Sequence, residues 1–229
     1  MDRIFRKVVL LLFPAMLLTA APPAGAAEPW EGAPFAGDPA AILRAVAKIP
    51  SVEAEEVLVL LSDSLYSYDA AGRQTYTERL VYRIGGGRSH ESWSAVEEGW
   101  APWHQERPEI RARVITPDGV AHPFDPANLA ENARAQGAAD MFEDGRILRG
   151  PLPAIKPGVV VEQLVTVRDK APFFDGGVAR FHGLDRGVPV LQARVTLDAP
   201  ESLPLRWVAR KLDSPEPRER VADGRRRLT

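Results

Sequence analysis

The sequence predicts a mainly β fold, an antiparallel β-sandwich with one N-terminal helix. After residue 50 the spacing of apolar residues changes from the period of a helix to the alternation of a strand. The chain also has 21 prolines, most of them between the apolar runs, where they would break a helical alternative. Many short runs separated by Gly and Pro are typical of all-β domains.

Residues 1–26 form a predicted secretory signal peptide. Basic residues precede the apolar run Val8–Leu18, and Ala24-Gly25-Ala26 is a cleavage site that would leave Ala27 as the first mature residue. The run is shorter than the ~20 residues that span a bilayer, which favours cleavage over retention as a membrane anchor. We therefore expect an exported protein, periplasmic or extracellular, with no stable membrane anchor after cleavage.

The next two segments lead into the β domain. Residues 27–37 are rich in Ala, Pro and Gly, so we expect a flexible lead-in. Residues 38–50 are predicted to form a helix that covers the sheet. Asp38 can cap this helix, Pro39 suits its first position, and Pro50 ends it.

The β-sandwich domain is assigned to residues 51–229. Its first strands are predicted from the apolar run at 57–61 and from the alternation at 76–84, with turn residues at 69–72 between them. Residues 110–114 and 120–124 flank a second tight turn at Pro117-Asp118-Gly119.

Later segments continue the strand pattern, with one interruption. An irregular or helical insertion is expected near 126–150. Residues 159–167 are β-branched on both faces, which predicts a strand buried on both sides. Residues 191–197 and 203–209 then alternate cleanly. Asp223-Gly224 is typical of a hairpin turn, so the expectation is that the domain is cut short and the native protein continues past Thr229.

Composition limits the chemistry that this chain can perform. With no cysteine there is no disulfide, thiolate metal site or cysteine nucleophile. The net charge of −2 offers no basic surface for nucleic acid. No two of the four histidines have metal-ligand spacing, and no serine lies in a G-x-S-x-G motif. We therefore predict no catalytic site, no metal and no cofactor.

Adjacent carboxylates do not change this prediction. Glu97 and Glu98 would point to opposite faces of a strand, which is wrong for shared acid–base work. They are interpreted as solvated charges at turns and edges.

The densest aromatic cluster lies between Trp93 and His104. Tryptophans in a loop could stack on sugar rings or on an apolar patch of a partner, or they could seal one end of the sandwich as core residues. For a surface site, the candidate binding residues are Trp100, Trp103 and His104, with Arg107 as their polar companion.

The order of several short motifs between Ile110 and Ala209 resembles a known family. These motifs are residues 112–119, Phe142-Glu143-Asp144-Gly145-Arg146, residues 152–158 before the strand at Val159, Pro189-Val190 and Asp198-Ala199-Pro200. The family is the bacterial domain of unknown function that lies N-terminal to transglutaminase-like domains in exported proteins. The resemblance implies a β-sandwich placed ahead of a papain-like transglutaminase or protease domain that uses Cys, His and Asp. No residue here matches that second domain.

Three hypotheses follow. The first is a non-catalytic accessory domain that positions, regulates or presents substrate to a C-terminal transglutaminase-like domain. The second is a stand-alone module that binds an envelope polysaccharide or peptide through the Trp100–Trp103 region. The third is an enzyme that uses distant Asp, Glu or His residues, which clustering of His104 or His182 with carboxylates in a cleft would favour.

Overall fold

The structure is a computed structural model that describes residues 27–50, 57–86, 88–134, 144–174, 179–211 and 216–229. The predicted signal peptide lies outside the described residues. The described chain is mainly β, as predicted, with one α-helix, two short 3₁₀ segments and two sheets. The elements are α1 Pro39–Val46, β1 Leu58–Tyr68, β2 Gln74–Arg83, 3₁₀ Arg88–Trp93, β3 Ala95–Trp100, β4 Glu109–Ile115, β5 Ala121–Pro123, 3₁₀ Pro126–Asn128, β6 Ala130–Ala133, β7 Arg146–Pro151, β8 Val160–Arg168, β9 Ala193–Pro200, β10 Glu219–Ala222 and β11 Arg225–Leu228.

Helix α1 begins where the sequence predicted. The Asp38 carboxylate accepts a hydrogen bond from the Ala41 backbone N–H at 2.9 Å, and Pro39 occupies the first turn. Regular α-helix ends at Val46, and tighter turns carry the chain on to Ile49. Across the part of the chain that the structure describes, no helix has the length and apolar content needed to span a bilayer.

The large sheet has eight strands in the order β10-β11-β9-β1-β2-β8-β4-β5. Every neighbouring pair is antiparallel except β1 and β9, which run parallel. The sheet is therefore mixed, and the prediction of a purely antiparallel arrangement is wrong. The long connection between β8 and β9 explains the difference, because it lets the chain pass the β1–β2 hairpin and enter beside β1 in the same direction.

A small antiparallel sheet, β3-β7-β6, packs on one face of the large one. Val96 and Leu148 of the small sheet share one buried cluster with Tyr82 and Val161 of the large sheet. The irregular or helical insertion expected near 126–150 is thus wrong in part: it supplies β6, β7 and only one 3₁₀ turn, while residues 135–143 lie outside the described residues. All four residues of β6 are exposed, so β6 shows no alternation by which the sequence could reveal it.

The opposite face of the large sheet is covered by α1 and by the segment before it. Ile42 and Val46 of α1, together with Trp30, pack on a second buried cluster that includes Val160. Because Val161 faces the first cluster, β8 is buried on both faces, as predicted.

Residues 27–37, expected to be a flexible lead-in, contact the sheet through a buried carboxylate. Glu162, 1% exposed, accepts hydrogen bonds from the guanidinium groups of Arg79 and Arg113 and from the Phe35 backbone N–H at 2.8 Å. Arg79 in turn donates to the Gly32 carbonyl. The lead-in is therefore attached to the sheet through its backbone.

The C-terminal part contains one wrong prediction and one confirmed prediction. Residues 203–209 form no strand: β11 pairs with the free edge of β9, and Pro204 could not complete a ladder there. Leu203 and Leu205 instead pack against a cluster around Tyr66. The turn at Asp223-Gly224 is confirmed, with φ of 54° and 70° between β10 and β11.

Candidate functional site

The four candidate residues occupy three different environments. Trp100 ends β3 half-buried against the core between the sheets. Trp103 is 63% exposed, whereas the neighbouring His104 is only 5% exposed. Arg107 lies on the surface, where its Nε is 3.4 Å from a carboxylate oxygen of Glu131 on β6. The structure brings Trp103 and His104 together.

Two phenylalanines extend this pair into an aromatic group, defined here as Trp103, His104, Phe173 and Phe174. Ring centroids are 5.1 Å apart for Trp103–His104, 4.9 Å for His104–Phe173 and 4.5 Å for Phe173–Phe174. Phe174 is 61% exposed and Phe173 is 39% exposed. The group therefore has a buried imidazole at its base and exposed rings above it, as in surfaces that bind amphipathic partners.

The buried imidazole faces a buried carboxylate. His104 Nε2 lies 3.3 Å from Asp169 Oδ2, although the alignment of the two groups falls short of a hydrogen bond. Backbone hydrogen bonds fix both residues: Lys170 N–H donates to the His104 carbonyl at 2.8 Å, and Asp169 N–H donates to the Gln74 carbonyl at 2.9 Å. The aromatic group is thus held at the end of β8, next to the start of β2.

A polar cleft of about 410 Å³ lies beside this pair, and Asp169 is one of its walls. The β1–β2 hairpin supplies one side, the residues around the end of β8 supply the other, and β9 and β11 close it. The charged residues of its lining include Asp69, Arg73, Glu106, Arg168, Asp169 and Arg225. Its volume lies within the range of small-ligand sites, about 300–1,000 Å³.

A second polar group lies on the inner face of the large sheet, the face toward the small sheet. The Tyr66 hydroxyl is 2.8 Å from Nδ1 of His182, and the Tyr76 hydroxyl is 3.3 Å from the Ser64 hydroxyl. Burial raises the pKa of Tyr66 and of Tyr76, and lowers the pKa of His182. Both phenols therefore stay protonated at neutral pH and act as hydrogen-bonding groups.

Carboxylates complete this inner group. Arg186 donates to Glu78 and, at 3.0 Å, to the Ser62 hydroxyl. Burial, reinforced by the charges of Glu78 and Glu97, raises the pKa of Glu98 to about 7. A carboxyl that titrates near neutral pH is suited to proton transfer. Among the described residues, however, neither Ser62 nor Ser64 bonds to His182, so no serine–histidine pair forms here.

The inner group was missed by the sequence reasoning. Glu97 and Glu98 do point to opposite faces of β3, but the interpretation of both as solvated charges is wrong for Glu98, which is half-buried between the sheets. The signal that could have revealed it is the alternation Val96, Glu98, Trp100, which puts Glu98 on the inward face. No group of three or more possible metal ligands occurs within the described residues.

The fold and the two polar groups define a mainly β domain, in which a mixed sheet carries a polar cleft at one end. The chain belongs to DUF3857, a domain of unknown function with a solved structure, whose family model matches residues 70–229. The family resemblance seen in the sequence is confirmed to that extent. A comparison with curated proteins found no significant match.

The fold is also similar to a solved structure. A protein from Parabacteroides distasonis ATCC 8503, described as a "putative protease", superimposes with a TM-score of 0.67 at 16% sequence identity. The alignment covers 77% of this chain but 35% of that protein. The chain therefore spans about a third of the length of the protein that it resembles in fold.

Proposed function

We propose that this chain is a non-catalytic accessory β domain of an exported protein and that it adjoins a transglutaminase-like or protease domain. One observation carries the proposal: the fold match covers 35% of a longer protein described as a "putative protease", so most of that protein lies outside the matched region. The family resemblance in the sequence supports the same arrangement. The buried residues that the two sheets share support the sandwich form expected for such a domain.

Export is the second part of the proposal. It is supported by the basic, apolar and small-residue regions of residues 1–26, which follow the order of a secretory signal. Cleavage after Ala26 would place the new N-terminus directly before the segment that Glu162 attaches to the sheet.

The test is the intact mass and N-terminal sequence of the native protein from the envelope and secreted fractions of its producing cells. We expect a start at Ala27 and a species much larger than 25.1 kDa that contains a second domain with Cys, His and Asp. A species of about 22 kDa, the chain less its signal peptide, would refute the adjoining domain. Recovery of the protein from the cytoplasm with residues 1–26 still attached would refute export.

A stand-alone binding module is the second candidate function. The observation in its favour is the exposure of Trp103, Phe173 and Phe174 in one group, because contiguous exposed aromatic surface marks sites of interaction. The species of about 22 kDa would make this the leading function.

A further inference from the structure

The exposed rings of the aromatic group come from two segments that meet at one end of the large sheet. Trp103 lies on the chain that follows β3, whereas Phe173 and Phe174 lie on the chain that follows β8. Phe181, farther along the same connection, is almost fully exposed. Exposed apolar surface that is concentrated in this way marks a site of interaction.

The rings do not form a flat platform. The ring planes of Trp103 and Phe173 are inclined by 56°, and those of Phe173 and Phe174 by 80°. A planar ligand therefore cannot stack on more than one of these rings at a time. Rings at such angles suit a deformable apolar medium, because each can be buried in it whatever its orientation.

Two cations border these rings. Lys170 is exposed, and its Nζ donates to the carbonyl of Pro102, the residue before Trp103, at 2.5 Å. The guanidinium carbon of Arg180 is 5.9 Å from the ring centroid of Phe173. Within the described residues neither cation forms an ion pair with a carboxylate. Each therefore keeps N–H donors for an anionic group of a partner.

The carboxylates at this end of the sheet do not lie among the exposed rings. Asp169 is buried against His104, and Glu106 lines the polar cleft, whose lining includes no residue of the aromatic group. Although the whole chain has a net charge of −2, this surface combines apolar area with unpaired positive charge. That combination is typical of surfaces that contact anionic membranes, where aromatic rings lie at the level of the lipid headgroups and Lys or Arg contacts phosphate.

We propose that this end of the domain binds reversibly to the surface of an anionic phospholipid membrane. Trp103, Phe173 and Phe174 enter the interface, and Lys170 and Arg180 contact lipid phosphates. A contact of this size is far weaker than a spanning helix, so it is compatible with the expected loss of the signal peptide.

This inference deepens the second candidate function, on whose exposed aromatic group it rests, because it names the partner of that group. The two can fail separately. Lipid binding by a native protein much larger than this chain would refute the stand-alone module and leave the membrane site in place. A native protein of about 22 kDa that binds no lipid would do the reverse.

The test is cosedimentation with lipid vesicles at neutral pH. The protein used is the native chain from Ala27 onward, so that the apolar residues 8–18 cannot insert. One set of vesicles is phosphatidylcholine alone, and the other contains phosphatidylcholine and phosphatidylglycerol in equal parts. We expect partition into the anionic vesicles to be about 30-fold stronger, as two cations near the surface supply. Added salt should reduce this difference.

A matched pair of lysine variants locates the charged contact. Lys170→Gln should weaken partition into anionic vesicles about fivefold and leave phosphatidylcholine vesicles unaffected. Lys156→Gln removes the same charge from an exposed position before the start of β8. The nine residues of β8 separate the two lysines by about 30 Å, so the Lys156 variant should bind as the wild type does.

A matched pair of tryptophan variants locates the apolar contact. Trp103→Ala should weaken partition into both kinds of vesicle about tenfold, because it removes apolar area that enters the interface. Trp207→Ala removes a partly exposed tryptophan outside the aromatic group and should leave partition unchanged. Circular dichroism checks that each variant is folded, and Phe174→Ala gives a second test at an exposed ring.

Three results would overturn the proposal. The first is equal partition into the two kinds of vesicle, or binding to neither. The second is a loss of binding in Lys156→Gln or Trp207→Ala as large as that in its matched variant. The third is release of the bound protein by the acidic peptide acetyl-Glu-Phe-Glu-amide at a concentration below that of the lipid, which would assign the aromatic group to a protein partner.

Discussion

Replacing Glu162 with Gln should destabilise the fold far more than the same change at an exposed ion pair of the domain. Glu162 is 1% exposed, and its two carboxylate oxygens accept from Arg79 at 2.7 Å and from Arg113 at 2.9 Å. The side chain of Arg79 is 6% exposed and that of Arg113 is 12% exposed. The variant therefore leaves two cations buried against a neutral amide. Breaking a buried pair in this way typically costs about 3–5 kcal/mol, against a total domain stability of about 5–15 kcal/mol.

The assay is urea unfolding followed by tryptophan fluorescence, with Glu109→Gln as the control. Glu109 also pairs with an arginine, Arg168, but its side chain is 65% exposed, so we expect a loss of about 1 kcal/mol or less. Glu162→Gln should also make the segment around Phe35 more sensitive to proteolysis, since its backbone N–H donates to the lost carboxylate. Equal losses of stability for the two variants would refute the argument that this buried cluster attaches the lead-in to the sheet.

Three further predictions concern the small sheet and the surface. Folding raises the pKa of Glu98 from 4.5 to about 7, so the protonated side chain stabilises the fold below pH 4.5, and this stabilisation is lost as the pH rises through 7. In urea titrations, the free energy of unfolding of Glu98→Gln should therefore rise by up to about 3 kcal/mol relative to the wild type between pH 4 and pH 8. Parallel pH profiles of the two proteins would contradict this. Gly150→Ala should lower the free energy of unfolding by about 1–3 kcal/mol, because the added Cβ would lie 2.8 Å from the Phe124 ring. Gly99→Ala is the control: its Cβ would lie 3.8 Å from the nearest neighbour, so the same urea titration should show a loss of less than 1 kcal/mol. Trp103→Ala should change the melting temperature little, because the side chain is largely exposed; a large decrease would make Trp103 a core residue.

Local chemistry allowed much of the large sheet to be predicted. The alternation at 76–84 and at 110–114, the doubly buried run at 159–167 and the turn at Asp223-Gly224 are each set by neighbours in sequence. Helix α1 was equally clear because Asp38 and Pro39 mark its start. Such features depend on side chains only a few residues apart, which is why one sequence suffices to find them.

The parallel pairing of β1 with β9 could not be predicted in this way. It joins Ser62 to Ala193 across a long connection, and nothing in either strand specifies the direction of its partner. The small sheet was missed for a different reason. All four residues of β6 are exposed, and the adjacent pair Glu97-Glu98 in β3 is a sequence pattern typical of a solvated turn. The polar cleft depends on both kinds of information, since it assembles the β1–β2 hairpin with residues about 100 positions away, such as Asp169.

The inner face of the β1–β2 hairpin has an apolar part and a polar part, which are stabilised by different interactions. Near one end Val59 and Leu80 face the first buried cluster, so the contacts there are apolar and insensitive to pH. Further along, Ser62 and Glu78 take their place, and the segment before β9 is held there by Arg186 through hydrogen bonds and charge. Ionisation of Glu98 adds a negative charge that repels Glu78 in this polar part. The pH dependence expected near neutrality should therefore be confined to this polar part of the inner face, and the helix-covered face should be unaffected by it.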